Sequence, residues 1–120
     1  MFNISKNGII TLSRGDSFSL DVFINVGTAL NPVEYTLDGD DKLYFALCEP
    51  NQPFECAIIR KEFNKNDTTE EGLVRMVFDS EMTECLMPGT YFYTVKLVTG
   101  PEDEREVNTI ISKTKFYIID

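Results

Sequence analysis

Period-two alternation of apolar and polar residues is the feature that most constrains how this chain can fold. In residues 17–25 every second position from 18 to 24 is apolar, namely Phe18, Leu20, Val22 and Ile24. Successive side chains of a strand point to opposite faces, whereas a helix would distribute these four around its circumference. Residues 17–25 are therefore predicted to form a strand with one buried face.

The same alternation recurs along the rest of the chain. Further strands are predicted at residues 42–48, 55–63, 73–79, 90–98, 107–111 and 114–119. Turn-forming residues separate these runs, and one helical turn is predicted within residues 81–87. Short strands separated by frequent turns are typical of a β-sandwich or barrel. The predicted core consists of Phe18, Leu20, Val22, Ile24, Leu43, Phe45, Leu47, Val74, Met76, Phe78, Tyr91, Tyr93, Val95 and Leu97.

The segment 86–95 carries the most informative fold motif. A turn of the type Leu-x-Pro-Gly precedes an alternating strand that contains Tyr91 and Tyr93. In immunoglobulin-like sandwiches such a tyrosine often forms a tyrosine corner, in which its hydroxyl bonds to the backbone just upstream. Tyr91 is the first choice for this corner, with Pro88 and Gly89 in the turn, and Tyr93 is the second. The predicted class is an all-β, Ig-like antiparallel β-sandwich of about 7–9 short strands.

Length and composition indicate one globular domain, spanning residues 1–120. Hydrophobic residues make up 42% of the chain and charged residues 26%, which is an ordinary balance for a folded domain. Eleven basic residues stand against twenty acidic ones, for a formal net charge of -9. Such a chain repels phosphate, so neither nucleic acid nor a membrane is an expected partner.

The absence of histidine removes much catalytic chemistry. With no His in the sequence, a Ser-His-Asp triad, a Cys-His pair and any histidine metal site are excluded. The acidic clusters at residues 38–41, 67–71 and 102–104 do not fit the EF-hand pattern, so solvated turns are expected there. No cofactor and no metal is expected, although loose calcium contact at residues 38–41 stays open. A paired-carboxylate enzyme is the least favoured interpretation. Counting acidic residues does not exclude it, since placing two carboxylates across a cleft needs a structure.

Three cysteines, Cys48, Cys56 and Cys85, are expected to be reduced thiols. Their odd number and the lack of a secretory signal at the N-terminus favour a protein made in the cytoplasm. A bridge between Cys48 and Cys56 remains the alternative in an oxidising setting.

The last predicted strand is apolar on both faces. Phe116 and Ile118 lie on one side, and Tyr117 and Ile119 on the other. One face of an antiparallel sheet commonly meets water, so a second apolar face predicts a contact surface. Self-association or docking through Tyr117 and Ile119 is therefore expected.

Three stretches, residues 10–18, 86–97 and 107–116, together resemble small phage and prophage structural proteins of Gram-positive bacteria. They are most similar to the N-terminal Ig-like domain of siphophage baseplate upper proteins, whose pattern ends in a final hairpin. Residues 15–18 match its Gly-Asp-x-Phe strand, and residues 88–93 match its Pro-Gly-Thr-Tyr-x-Tyr strand. Baseplate upper proteins continue into a segment that holds the receptor-binding protein, whereas this sequence stops at Asp120.

The resemblance implies a non-enzymatic virion structural or assembly protein, associated with a tail or baseplate and made in the host cytoplasm. Its implied partners are other phage structural proteins or further copies of itself. The alternative is a small carbohydrate- or protein-binding module of Ig-like fold. That alternative would use the aromatic residues Tyr44, Phe92 and Tyr117. Along the predicted strands and turns they are interleaved with the basic residues Lys61, Lys65, Arg75, Lys96, Lys113 and Lys115.

Overall fold

Each segment predicted from the apolar alternation contains strand residues, although residues such as 17, 23, 24, 57 and 58 lie outside the strands. Two short strands precede the first predicted one. The computed structural model describes residues 2–24, 30, 35–53, 57–70, 72–100 and 104–120. Within these residues the strands are β1 Phe2–Ile4, β2 Ile10–Ser13, β3 Phe18–Val22, β4 Lys42–Cys48, β5 Ile59–Phe63, β6 Val74–Phe78, β7 Gly89–Thr99 and β8 Glu106–Ile119. A short helix, α1 Ser80–Glu84, and a 3-10 turn, Lys65–Asp67, complete the described elements.

Two sheets pack face to face in an all-β sandwich. The larger sheet has the strand order β1-β2-β8-β7-β4-β5, and the smaller consists of β3 and β6. Neighbouring strands are antiparallel except for β2 and β8, which run parallel. The purely antiparallel prediction is therefore wrong at this one pair. The reason is that β2 connects through a tight turn to β3 in the other sheet, so its neighbour in the larger sheet comes from the distant end of the chain.

Aromatic rings join the two sheets. The ring of Phe78 stacks on Phe18 at a centroid distance of 4.5 Å and lies 4.7 Å from Phe45 and 5.7 Å from Phe63. Phe18 and Phe78 come from the smaller sheet, whereas Phe45 and Phe63 come from the larger one. Every residue of the predicted core is buried, which confirms the face assigned to each of those strands.

Strand β8 corrects the prediction of two separate strands at residues 107–111 and 114–119. It is one strand of 14 residues that pairs with β7 along its length, so no hairpin turn separates the two predicted segments. Two register shifts, opposite Tyr93 to Lys96, accommodate extra β8 residues as bulges. A turn would need Gly, Pro or a similar breaker, and residues 110–115 contain neither Gly nor Pro.

Helix α1 lies between β6 and β7 and holds the turn between β2 and β3. The hydroxyl of the fully buried Thr83 accepts a hydrogen bond from the amide of Gly15 and donates to the carbonyl of Asp16. This contact fixes residues 14–16 as the predicted turn. None of the described helices is long and apolar enough to cross a membrane.

Candidate interaction surface

The tyrosines of β7 direct their hydroxyls to backbone carbonyls. Tyr91 donates to the carbonyl of Met87 at 2.7 Å, across the turn that contains Pro88 and Gly89. This is the geometry of a tyrosine corner. Tyr93 donates instead to the carbonyl of Gly8 at 2.5 Å, and burial raises the pKa of its hydroxyl, which keeps the proton in place. Both hydroxyls therefore hold loops in position.

Replacing Tyr91 by Phe tests the corner. The substitution keeps the ring and removes one hydrogen bond, so we expect the free energy of unfolding to fall by about 0.5–1.5 kcal/mol. Urea unfolding measures the change, with Tyr117→Phe on the outward side of β8 as the control. Equal losses in the two variants would show that the corner bond contributes nothing specific to stability.

The outer face is the surface of the larger sheet that points away from the smaller one. On β8 it carries Tyr117, which is partly exposed, and Ile119, which is 37% exposed. In the sheet, Tyr117 pairs with Thr11 of β2 and Thr90 of β7, while Ile119 pairs with Ser13. The flanking side chains are thus small and polar. The two residues of the predicted interface therefore lie together on this face, on a strand that is paired on both sides by β2 and β7.

Two further aromatic residues lie on the outer face, each next to a cation. The guanidinium of Arg60 lies 5.3 Å from the ring centroid of Tyr44. The Nζ atom of Lys113 lies 5.3 Å from the ring centroid of Phe92 and also donates to the carbonyl of Gln52 at 3.2 Å. Cations over aromatic faces are attracted by the ring quadrupole, so these pairs set the positions of both groups.

Basic residues dominate the charge of the outer face. The outward positions of the strands and the β8 bulge hold the basic residues Lys42, Arg60, Lys96, Lys113 and Lys115 and the acidic residue Glu62. Lys42 and Glu62 form an ion pair at 2.6 Å, and the hydrogen bond to Glu62 raises the pKa of Lys42. Among the residues that the structure describes, the face therefore holds five basic residues and one acidic residue.

The sequence pattern identified only part of this group. Lys96, Lys113 and Lys115 were expected among the basic residues near the aromatics, and they do lie on this face. Lys61 instead donates to the carbonyl of Val77 in the smaller sheet, and Arg75 pairs with Asp21 on the opposite surface of the sandwich. Which surface of the sandwich a residue occupies depends on how its strand pairs with its neighbours. The sequence of a single strand does not specify that pairing.

A polar cavity of about 260 Å³ lies between the loop before β4 and the 3-10 turn after β5. It is lined by Gly39, Asp40, Asp41, Lys42, Asn64, Lys65 and Asn66. Asp41 is buried, and its Oδ2 atom accepts hydrogen bonds from the Tyr35 hydroxyl and from the amide of Asp38. This carboxylate therefore organises its own loop. The described residues contain no group of three or more His, Cys, Asp or Glu placed to hold a metal ion.

Tyr35 predicts a loss of stability at high pH. Its hydrogen bond to Asp41, followed by burial, raises the pKa of Tyr35 from 10.0 to about 12. The unfolded chain therefore releases this proton at a lower pH than the folded one, so the stabilising contribution is full below pH 10 and is lost as the pH rises to 12. We expect Tyr35→Phe to flatten the decline in unfolding free energy over this range. Parallel pH profiles for the two proteins would contradict the assignment.

Two of the three cysteines lie in described segments. Cys48 is buried, with its Sγ atom 3.6 Å from the carbonyl oxygen of Pro53, and Cys85 is exposed. Cys56 lies outside the described residues, and so does the proposed pair that involves it.

Comparison with known proteins finds neither a family model nor a curated protein sequence that matches this chain.

Proposed function

We propose that this protein is a non-enzymatic structural or assembly component of a phage or prophage particle, associated with a tail or baseplate. It acts by docking to other proteins of the particle or to itself through the outer face. The observation that carries this proposal is the exposure of Tyr117 and Ile119 on a strand whose other side already fills the core.

Strand β8 supports docking because its inward side is buried, whereas apolar side chains on its outward side are partly exposed. Phe116 and Ile118 are 0% and 2% exposed, so the inward side alone satisfies the packing of the sandwich. The outward Ile119 contributes little to that core at 37% exposure. Exposed apolar side chains that share a surface with partly exposed aromatics are typical of protein contact sites.

Three buried polar groups already have hydrogen-bond partners within the fold. Tyr91 and Tyr93 bond backbone carbonyls, and the buried Asp41 bonds Tyr35 and its own loop. A general acid or base must reach a proton of the substrate, which is difficult for a group whose hydrogen bond is made within the fold. These contacts favour a protein that works by binding.

The phage assignment is supported by the resemblance and by where its motifs lie. Residues 15–18 lead from the turn held by Thr83 into β3, and residues 88–93 form the corner and the first half of β7. Both motifs therefore belong to the structural framework of the sandwich. In baseplate upper proteins the corresponding domain is the docking domain. A protein of this kind would be made in the bacterial cytoplasm and become part of the virion.

Particle composition tests the proposal. Phage particles purified from the bacterium that carries the gene should contain the chain, as measured by peptide mass spectrometry, and tail or baseplate genes should flank its gene. The double variant Tyr117→Ser with Ile119→Ser should fold but fail to enter particles, whereas Val77→Ser should enter normally. Val77 is the matched control because it is exposed on the opposite sheet. Absence of the native chain from particles would contradict the proposal.

A carbohydrate- or protein-binding module is the second candidate. The presence of Tyr44, Phe92 and Tyr117 on one face favours it, because aromatic rings are common contacts in binding sites. Binding of a soluble glycan by the isolated protein, lost in Tyr44→Ala and Phe92→Ala but kept in Val77→Ala, would support this candidate. Glycan binding with no particle association would replace the structural proposal.

A further inference from the structure

We propose that the partner of the outer face is the acidic end of a second copy of this chain. This inference rests on the proposed docking function and names the chemistry of the partner. It follows from an uneven distribution of charge, in which a basic face and an acidic end belong to the same molecule.

The outer face is large enough for a stable contact. The six strands hold 3, 4, 14, 11, 7 and 5 residues, and a rise of about 3.3 Å per residue with strands about 4.8 Å apart gives a surface of about 700 Å². A standard protein interface buries about 800 Å² on each partner. Five basic residues and one acidic residue lie on this surface, so a partner of complementary potential must be acidic.

Described residues of the three acidic clusters lie at one end of the sandwich. The Arg105 side chain, just before β8, donates to the carbonyl of Asp40 at 3.1 Å, so the start of β8 lies beside the loop before β4. The polar cavity is lined by that same loop and by residues 64–66. This acidic end presents the carboxylates of Asp38, Asp40, Asp67, Glu70, Glu104 and Glu106 beside the basic residues Lys65 and Arg105.

The net charge of the chain limits the orientations in which two copies can associate. With a net charge of -9, two copies repel each other in most orientations. Contact of an acidic end with an outer face is the arrangement in which opposite charges meet, and the aromatic rings there supply apolar area. Because the two surfaces are different, each molecule can use both, and such a heterologous contact builds a ring or a filament.

Sedimentation velocity with charge-reversed variants tests this contact. Variant one carries Lys96→Glu and Lys115→Glu on the outer face, and variant two carries Glu70→Lys and Glu104→Lys at the acidic end. Each alone should be monomeric, while their mixture should form a one-to-one dimer, because each retains one native surface. The native protein should associate at about 0.1 M salt and dissociate near 1 M, where charges a few ångströms apart are screened.

Matched variants keep the test decisive. Lys6→Glu with Arg75→Glu makes the same change in net charge as variant one. Lys6 lies in the turn between β1 and β2, and Arg75 lies on the opposite surface of the sandwich, so this variant should associate like the native protein. Thermal melting checks that every variant is folded, and the single variant Lys115→Glu replaces variant one if the double variant is not. The proposal is overturned if variant one associates as strongly as the native protein. It is also overturned if the mixture of variants one and two forms no dimer.

Other occupants of the outer face give different results. A native protein that stays monomeric but binds a single-stranded oligonucleotide through Lys96 and Lys115 overturns the proposal in favour of nucleic acid. Association that persists near 1 M salt and is lost in Tyr117→Ser overturns it in favour of an apolar contact. A monomer that is still found in particles overturns only this inference, since the proposed structural function depends on particle composition.

Discussion

Replacing Phe78 by Ala is expected to lower the free energy of unfolding by about 3–5 kcal/mol. Phe78 is fully buried, and its ring contacts Phe18, Phe45 and Phe63, so the substitution leaves a cavity between the two sheets. The Nζ atom of Lys61 also lies 5.4 Å from this ring. Since domains of this size are stable by about 5–15 kcal/mol, the variant should lie close to the limit of folding.

Phe23→Ala is the matched control for this measurement, because it removes the same atoms from a side chain that is 50% exposed. Urea unfolding should show a loss below about 1 kcal/mol for the control. Similar losses at the two positions would place Phe78 outside the packed centre of the sandwich.

Gly8→Ala is expected to destabilise the protein by about 2–3 kcal/mol, more than the about 1–2 kcal/mol that positive φ alone costs. Gly8 has a φ of +83°, and a Cβ atom there would lie 3.1 Å from the hydroxyl of Tyr93. That hydroxyl is held in place by its bond to the Gly8 carbonyl, so it cannot move away without losing the bond.

Gly15→Ala separates the two contributions. Gly15 has a nearly identical φ of +85°, but no atom lies within 4 Å of a Cβ atom built there. Its variant should therefore show the backbone cost alone. In a Tyr93→Phe background the cost of Gly8→Ala should fall to the same value, because the crowded hydroxyl is gone. Equal costs at Gly8 and Gly15 in the native background would contradict the close contact.

Alternation predicted the central strands well because burial of one face requires an apolar residue at every second position of the strand. In β3, Phe18, Leu20 and Val22 are buried while Ser19 and Asp21 are exposed. The predicted limits of residues 42–48 coincide with those of β4, Lys42–Cys48. Tyr91 was identified from a motif that specifies a backbone turn, so its hydrogen bond to Met87 needed no knowledge of distant residues.

Features that depend on distant parts of the chain were not predictable in this way. Strands β1 and β2 are too short for a periodic signal, and β2 is a strand because it pairs with β8, more than a hundred residues later. The β8 bulges arise from pairing with β7, which one strand does not encode. The outer face gathers Lys42 and Arg60 with Lys115 through sheet register, and sequence alone could not place them together.

Zero-length carbodiimide cross-linking, followed by peptide mass spectrometry, tests the central claim most directly, because it joins a lysine to a carboxylate only where they touch. The account predicts a cross-linked dimer in which Lys96 or Lys115 of one molecule is joined to Asp40, Glu70 or Glu104 of another. Absence of an intermolecular product, or links confined to other surfaces such as Lys6, would contradict the docking of one copy's acidic end on another's outer face.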